Sequence, residues 1–323
     1  MPYAGFMSKA PKTLQEAVIH FADFENCKAF MVQLRWPDGK VLCPYCGSDN
    51  VEYLPNARVF KCYEKHARQK FSLKVGTIFE DSPIGLDKWL PVMWLVVNSK
   101  NGVSSWEIHR SIGVTQKTAW FMLQRARLAM QGEQGGKLSG EVEVDETYIG
   151  GKARNMHKSR KAKVLKGKHG GSVGKTAIQG LLARHGEIRT KVVEEVKRKT
   201  LVDGIQEHVE AGSTVYTDDA VAYYGIEGYE HKVINHAEKY VDGQIHTNGI
   251  ENFWALLKRG LSGTYVSVEP FHLFRYVDEQ AFRYNNRKDM NDSDRFVAVM
   301  RQVVGKRLTY AELTAKVGET PIN

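Results

Sequence analysis

The sequence predicts a multidomain protein of mixed α+β and α/β class, and three observations carry that expectation. Its 323 residues exceed what one hydrophobic core ordinarily serves, so two or three domains are expected. The apolar period changes along the chain: helical over residues 12–36 and again from Leu86, alternating over 51–61 and from Glu141 onward. Between the two halves lies Gln131-Gly-Glu-Gln-Gly-Gly-Lys137, a polar, glycine-rich joint that marks a domain boundary.

Composition narrows the class. The balance of 46 Lys and Arg against 37 Asp and Glu gives a net charge of +9 and points to a polyanionic partner. Four cysteines are too few and too unevenly placed for a disulfide framework. The opening Met-Pro-Tyr-Ala-Gly-Phe lacks the pattern of a secretory signal, and no apolar run approaches the roughly 18 residues of a membrane span. A reducing cytoplasm and no membrane partner are therefore expected.

In the first region, Thr13-Leu-Gln-Glu16 has capping-box spacing, and Ala17, Phe21, Phe24, Phe30 and Leu34 follow at helical intervals, which predicts two short helices. Cys27 stands apart and reads as a buried small hydrophobe. Next comes Cys43-Pro-Tyr-Cys46-Gly47, a knuckle that turns two thiolates toward one metal, and then Cys62 and His66, four residues apart. Together they offer the Cys3His set of a tetrahedral structural zinc site. Between them, Val51–Leu54 and Arg58–Lys61 predict a hairpin turning at Pro55-Asn56, so the layout is a zinc ribbon. Free thiols in a metal-less hairpin, with His66 merely solvated, is the competing reading. Residues 71–80 alternate in polarity and are expected to complete the ribbon sheet.

From Leu86 a helix carries Trp89, Leu90, Met93, Trp94 and Val97. Ser104-Ser-Trp-Glu107 caps a further helix, Gly113-Val114 turns the chain, and another helix starts at Thr115. Helix, short glycine turn and helix form a helix-turn-helix. In that arrangement Thr115, Gln116, Lys117 and Thr118 open the recognition helix and face base edges or phosphates, with Arg125 and Arg127 following at its end. A plain helical hairpin that buries its tryptophans is the alternative.

The second domain opens with Glu-Val-Glu-Val-Asp145-Glu-Thr-Tyr-Ile, which alternates valine with acid and reads as a strand with Asp145 near its centre. Residues 152–175 then hold nine Lys or Arg and no acid, among them Lys152, Arg154, Lys158, Arg160, Lys161, Lys163, Lys166 and Lys168. Such a block reads as a mobile loop that orders on a phosphate backbone, or as a merely solubilising one. Strands follow at 176–183 and 187–193, a helix over 201–209, a strand ending in Asp218-Asp219, a strand at 231–235, and a helix whose first turn carries Glu251. Three strands, helix, strand, helix, strand, helix is the ribonuclease H-like order. It brings Asp145, Asp218 and Glu251 toward one edge of a sheet.

Each acid also has a structural reading. Asp145 fits a salt-bridged strand acid, with Glu146 beside it pointing to the opposite face. Asp218 fits a turn or cap with Asp219 as its rival, and Asn248-Gly-Ile-Glu251 has capping-box spacing. Lys258 lies two helical turns beyond Glu251 on the same face, where a cation serves a phosphate. Residues 265–287 interleave a core-facing aromatic stripe with Arg275, Arg283 and Arg287, which are open to DNA contact.

Taken together, Cys43-Pro-x-Cys-Gly, Phe71-Ser-x-Lys-Val-Gly-Thr-Ile-Phe-Glu-Asp-Ser, Val144-Asp-Glu-Thr-Tyr-Ile-Gly-Gly-Lys, Tyr216-Thr-Asp and His246-Thr-Asn-x-Ile-Glu-Asn-Phe-Trp resemble the zinc-ribbon DDE transposases of the insertion sequence fifteen-ninety-five family. The resemblance runs from about residue 12 to residue 290. With the residue reading it gives N-terminal helices over 1–40, the ribbon over 41–80, a helix-turn-helix DNA-binding region over 81–131 and a ribonuclease H-like catalytic domain over 132–290 with the basic insertion at 152–175; the tail over 291–323, beyond the resemblance, reads as C-terminal helices. The implied activity is two-metal DNA transesterification at the terminal inverted repeats of the chain's own mobile element: water cuts, and the freed 3′-hydroxyl attacks target DNA. Two Mg²⁺ ions, replaceable by Mn²⁺, would be bridged by Asp145 and held by Asp218 and Glu251, since hard cations take oxygen ligands. Asn248 is an alternative or auxiliary ligand beside Glu251. Double-stranded DNA, both ends and target, is the implied partner, with a homodimer or higher homo-oligomer as the synaptic form, in a prokaryotic cytoplasm and nucleoid-associated when active. A catalytically inactive DNA-binding regulator of the same architecture, and a structure-selective nuclease on the same fold, remain the alternatives.

Overall fold

The computed structural model describes residues 11–132, 135–151, 155–165, 172–184, 186–219, 221–234 and 247–314. Lys152, Arg154, Lys166, Lys168 and His246 lie outside them, as do the side chains of Arg160 and Lys163. The chain divides into two compact units, residues 1–132 with 288–323, and residues 133–287.

In the first unit, α1 (Leu14–Ala22) starts where the Thr13 hydroxyl accepts the Glu16 amide, and α2 (Phe24–Arg35) where Asp23 caps the Glu25 amide. Cys27 is buried between them, and burial pushes its thiol up to about 12, so it stays neutral and serves as packing. The ribbon is an antiparallel sheet in the order β1 (Val51–Leu54), β2 (Val59–Cys62), β3 (Lys70–Phe71). Here the expectation for residues 71–80 fails: β3 ends at Phe71. Beyond it the chain coils into turns because Thr77 bonds back to the Lys74 carbonyl and the Glu80 carboxylate holds the Gly76 amide. Three helices follow: α3 (Leu86–Asn98), α4 (Ser105–Ile112) with a full capping box from Ser104 and Glu107, and α5 (Gln116–Met130). Gly113 between α4 and α5 sits at φ 64°, a left-handed turn suited to glycine.

The second unit is built on a five-stranded sheet. Its chain order is β4 (Glu141–Ile149), α6 (Lys158–Leu165), β5 (Thr176–Ala183), β6 (Ile188–Val193), α7 (Arg198–His208), β7 (Thr214–Asp218), β8 (Glu230–Ile234), α8 (Asn248–Gly260) and α9 (Leu273–Asn285). The spatial order is β6-β5-β4-β7-β8, with the first three antiparallel and β7 and β8 parallel to β4. This is the ribonuclease H-like sheet. Two details differ from the sequence reading. Among the described residues, the link from β7 to β8 holds a 3-10 turn at Val221–Tyr223 in place of the expected helix. The basic block contains α6 rather than loop alone, because Lys, Arg, Ala and Leu are all good helix formers.

β4 separates two cores. Val142 and Val144 point to one side and pack with Leu201 and Ile205 of α7. The alternate residues Glu143, Asp145 and Thr147 therefore point to the other side, where Ile250, Phe253, Trp254 and Leu257 of α8 form a core with Ile178 and Leu182.

The last segment, α10 (Asp292–Arg301) and α11 (Tyr310–Leu313), belongs to the first unit. Phe296 of α10 is 1 % exposed, stacked on Phe30 at 5.4 Å and tilted against Trp94 at 5.2 Å. Through this return α5 is covered on more than one face: Gln124, Arg125 and Arg127 are all buried. A DNA-contacting role for Arg125 and Arg127 is thereby corrected. The Arg125 guanidinium donates to the carbonyls of Leu308 and Glu80, so it ties the helix to its own core.

Candidate functional site

Two groups of residues were expected to hold metals, one in each unit; among the described residues, the first is the one whose ligand atoms are drawn together as a cluster. In the first, single ligand atoms of Cys43, Cys46, Cys62 and His66 all lie within 4.8 Å of one another. Gly47, at φ 75°, closes the knuckle as its amide bonds the Cys43 carbonyl at 2.8 Å. Cys43 Sγ sits 3.5 Å from His66 Nε2, and Cys46 Sγ 3.7 Å from Cys62 Sγ. Burial alone would raise the Cys43 thiol, but backbone amides of Tyr45 and Cys46 outweigh it and the thiol is lowered, toward the thiolate a metal takes. Three soft sulfurs and one imidazole, a complete four-ligand set, suit a structural Zn²⁺.

In the second unit the site is assembled from distant elements. Asp145 stands on β4, and β7 runs parallel beside it with Glu143 opposite Tyr216. Continuing that register by two residues sets Asp145 beside Asp218, one strand spacing or about 4.8 Å away in backbone terms. Glu251 comes from the first turn of α8. All three are electrostatically coupled at Asp145. Its carboxyl is pushed up to about 6, first by burial and further by the negative charges of Asp218 and Glu251. Glu146 next to it is pushed up to about 8 by burial and by Asp145 and Asp218, and its Oε1 is buried with no hydrogen-bond partner among the described residues. Acids raised first by burial and further by neighbouring negative charge, with a carboxylate oxygen left over, offer the oxygen donors that a hard divalent cation takes.

The structural readings of the three acids are now testable. The cap of α8 is Thr247 rather than Asn248, so Glu251 is not the far half of a capping box with Asn248. Instead the Thr247 hydroxyl donates to Glu251 Oε1 at 3.1 Å. Asp219, the rival of Asp218, accepts the Tyr224 hydroxyl. Among the described residues, Asp145 forms no salt bridge of the expected kind. Its Oδ1 accepts the Glu146 amide at 2.8 Å and its Oδ2 the Trp254 indole N–H at 3.0 Å. Asn248 and Lys258 are both exposed, at opposite ends of α8.

Among the residues assigned to DNA, Thr115 is the N-cap of α5 and its hydroxyl holds the Thr118 amide at 3.1 Å, while Gln116 bonds Ser105 at 2.8 Å. Lys117 is exposed, with its ammonium 4.7 Å over the Tyr310 ring. Lys158 and Lys161 project from α6 into solvent. Arg275 and Arg283 are buried in α9, and Arg283 pairs with the equally buried Glu279, so their reading as DNA contacts is also corrected.

Sequence reasoning passed over four residues of the site. Trp254 holds Asp145. Gly180, opposite Asp145 on β5, leaves the space Trp254 fills, since a Cβ there would lie 2.6 Å from the indole. Glu143 and Gly249 meet where α8 begins: the Ile250 amide donates to Glu143 Oε2 at 2.9 Å, and a Cβ on Gly249 would lie 2.8 Å from that oxygen. The available signal was the strand's own alternation, which puts Glu143 on the same face as Asp145.

Comparison with known proteins agrees with this geometry. The ISXO2-like transposase domain family matches residues 137–285, and the transposase zinc-ribbon domain family matches residues 23–66. An uncharacterized protein in the transposable element ISH50 of Halobacterium salinarum is 28% identical over 256 residues, covering 75% of this chain and 84% of that protein. A cryoEM structure of the simian T-cell lymphotropic virus intasome in complex with the PP2A regulatory subunit B56 gamma aligns at 12% identity with a TM-score of 0.28. That alignment covers 57% of this chain and 64% of the other, a likeness too slight to bear on function. A ribbon carrying its Cys3His set and a ribonuclease H-like domain thus each match a transposase domain family, over residues 23–66 and 137–285 of this chain.

Proposed function

We propose that this chain binds the terminal inverted repeats of an insertion sequence and catalyses strand cleavage and strand transfer there, with Asp145, Asp218 and Glu251 as its catalytic carboxylates. The observation that carries this reading is the placement of β4, parallel β7 and the first turn of α8, which puts Asp145 within electrostatic reach of Asp218 and Glu251 although the three come from different elements. Such crowding disfavours the metal-free charged state and favours a bound dication. Two Mg²⁺ ions held by these three residues would supply an activated attacking oxygen and a neutralised leaving oxygen.

The chain's own residues do the rest. The Trp254 indole and the Glu146 amide each hold one Asp145 oxygen and fix the plane of that carboxylate. Thr247 orients one oxygen of Glu251, and Asn248 stands exposed beside it as an auxiliary group. Lys258, exposed near the far end of α8, meets the phosphate backbone that approaches the acids. Exposed Lys117 on α5 and Lys158 and Lys161 on α6 add sequence-independent phosphate contacts, and Thr115, Gln116 and Thr118 line the start of the same helix. Zn²⁺ on Cys43, Cys46, Cys62 and His66 keeps the ribbon folded. Joining two ends requires two active sites, which favours a homodimer or larger assembly on DNA in a prokaryotic cytoplasm.

The test is an assay of the full chain with Mg²⁺ and duplexes bearing the cognate element ends. Nicking at the end followed by strand transfer is expected, abolished in Asp145→Asn, Asp218→Asn and Glu251→Gln. Binding without cleavage would instead make the chain a regulator, and cutting of branched DNA without terminal repeats a nuclease.

A further inference from the structure

Glu143 is a fully buried acid, 1 % exposed, that the reaction does not use. It lies two residues before Asp145 on β4, so both carboxylates point from one strand face toward α8. Each grips that helix. Glu143 Oε2 accepts the Ile250 amide at 2.9 Å, and Asp145 Oδ2 accepts the Trp254 indole at 3.0 Å. Residues 250 and 254 are one helical turn apart, and Glu251 projects from the turn between them.

The remaining Glu143 oxygen is occupied as well. Oε1 accepts Arg184 Nε at 3.2 Å, in a pair whose side chains are 8 % and 2 % exposed. Arg184 is itself fixed, its guanidinium 3.9 Å over the Tyr216 ring on β7. The helix start is pressed onto this acid so closely that only glycine fits at position 249. A buried carboxylate at a helix N-terminus also favours the positive end of the helix dipole, which holds α8 by charge as well as by hydrogen bond.

We propose that Glu143, braced by Arg184, is a positioning residue that sets the distance from Glu251 to Asp145 and so tunes how tightly the acids hold their divalent cations. The proposal rests on the catalytic reading of Asp145 and Glu251 above. With both oxygens engaged, Glu143 is not itself a ligand. Its effect passes through the helix to Glu251, as outer partners of metal ligands commonly act.

The experiment titrates Mn²⁺ into the full chain without DNA, by calorimetry and by the metal-induced shift in melting temperature, for wild type, Glu143→Gln, Arg184→Lys and Asp145→Asn. Glu143→Gln keeps the side chain's size and an acceptor for Ile250 but loses the charge. It is expected to weaken Mn²⁺ binding about tenfold, within the range seen for such outer partners. Arg184→Lys, which keeps the charge but not the planar fork, is expected to weaken it by a smaller factor. The Mg²⁺ concentration for half-maximal end cleavage should rise in parallel, with cleavage at saturating metal close to wild type. Metal binding equal to wild type in both variants, with only the metal-free melting temperature lowered, overturns the proposal and leaves Glu143 a structural cap. A wild-type chain whose Mn²⁺ binding is unaffected by Asp145→Asn would overturn the catalytic reading itself, a separate result.

Discussion

The two ligand clusters of this protein are encoded in opposite ways. The Cys3His set comes from one stretch of 24 residues, Cys43 to His66, held by a hairpin and a glycine knuckle. The three carboxylates come from two strands and a helix spread over residues 145 to 251. The first cluster is soft, offers a full four-ligand set and sits in a module too small to carry a large core of its own. The second is hard, open to solvent at Glu251, and built on a domain that already has two apolar cores. Under the proposed function, a metal would be part of the folding of one region and would relieve charge in the other.

The sharpest way to break that contrast is to strip the zinc. A ribbon this small buries little beyond Phe60, Phe71 and its ligands, and zinc binding in such modules is worth about 10–16 kcal/mol. Cys62→Ser, or a strong chelator, should abolish the ordered ribbon, seen as lost zinc content and new protease cutting over residues 43–71. Manganese binding by the second unit should survive unchanged. If the ribbon stays protected without zinc, the two clusters do not differ as argued.

The opposite sign is expected at the acids. Asp145 has a folded value of about 6 against an ordinary 3.8, so the folded state binds the extra proton. Unfolding stability then falls as pH rises from about 4 to about 6 and stays lowered above that. Glu146, at about 8 against 4.5, extends the fall to about pH 8. Asp145→Asn should therefore destroy cleavage, by about 10³-fold or more, yet stabilise the metal-free chain at pH 8 by roughly 1–3 kcal/mol, with little gain at pH 4. Denaturant melts at the two pH values decide it. Because cations displace those protons, metal affinity should also rise between pH 6 and pH 8.

A third substitution probes how the sheet makes room for the site. Gly180→Ala would put a methyl 2.6 Å from the Trp254 ring and 2.9 Å from Ile250, against a helix that cannot retreat without losing the Asp145 bond. Overpacking of this kind costs about 1–3 kcal/mol. Cleavage should fall further than stability alone explains, whereas Gly212→Ala, at an open turn, should leave the Asp145 geometry and the metal affinity alone.

How far each region could be read from sequence follows the same division. The ribbon ligands were legible because their spacing is local, and the first three strands of the sheet were legible because β4, β5 and β6 follow one another in sequence and lie next to one another in space. The helper residues were not. Nothing near Trp254 or Glu143 in sequence says that an indole from α8 reaches β4, 109 positions away. The misreading of Arg125 and Arg127 has the same cause. The helical period of α5 shows one apolar face but cannot show that chain near Leu308, 183 positions on, covers another.

That correction gives the smallest and cleanest prediction, because Arg125 and Lys117 sit on one helix with the same charge and opposite surroundings. Arg125 donates to two backbone carbonyls in the core, so Arg125→Ala should cost about 2–3 kcal/mol by leaving those acceptors unsatisfied. Its effect on DNA should be only what lost folding brings. Lys117 is exposed and packs on no more than the Tyr310 ring, so Lys117→Ala should change stability by less than about 0.5 kcal/mol. Affinity for end DNA should nevertheless drop, and the slope of log affinity against log salt should shrink by about 1, the signature of one lost phosphate contact. Measured across a salt series, an unchanged slope in Lys117→Ala would mean that the start of α5 does not face the duplex, and that the helical pair serves the core alone.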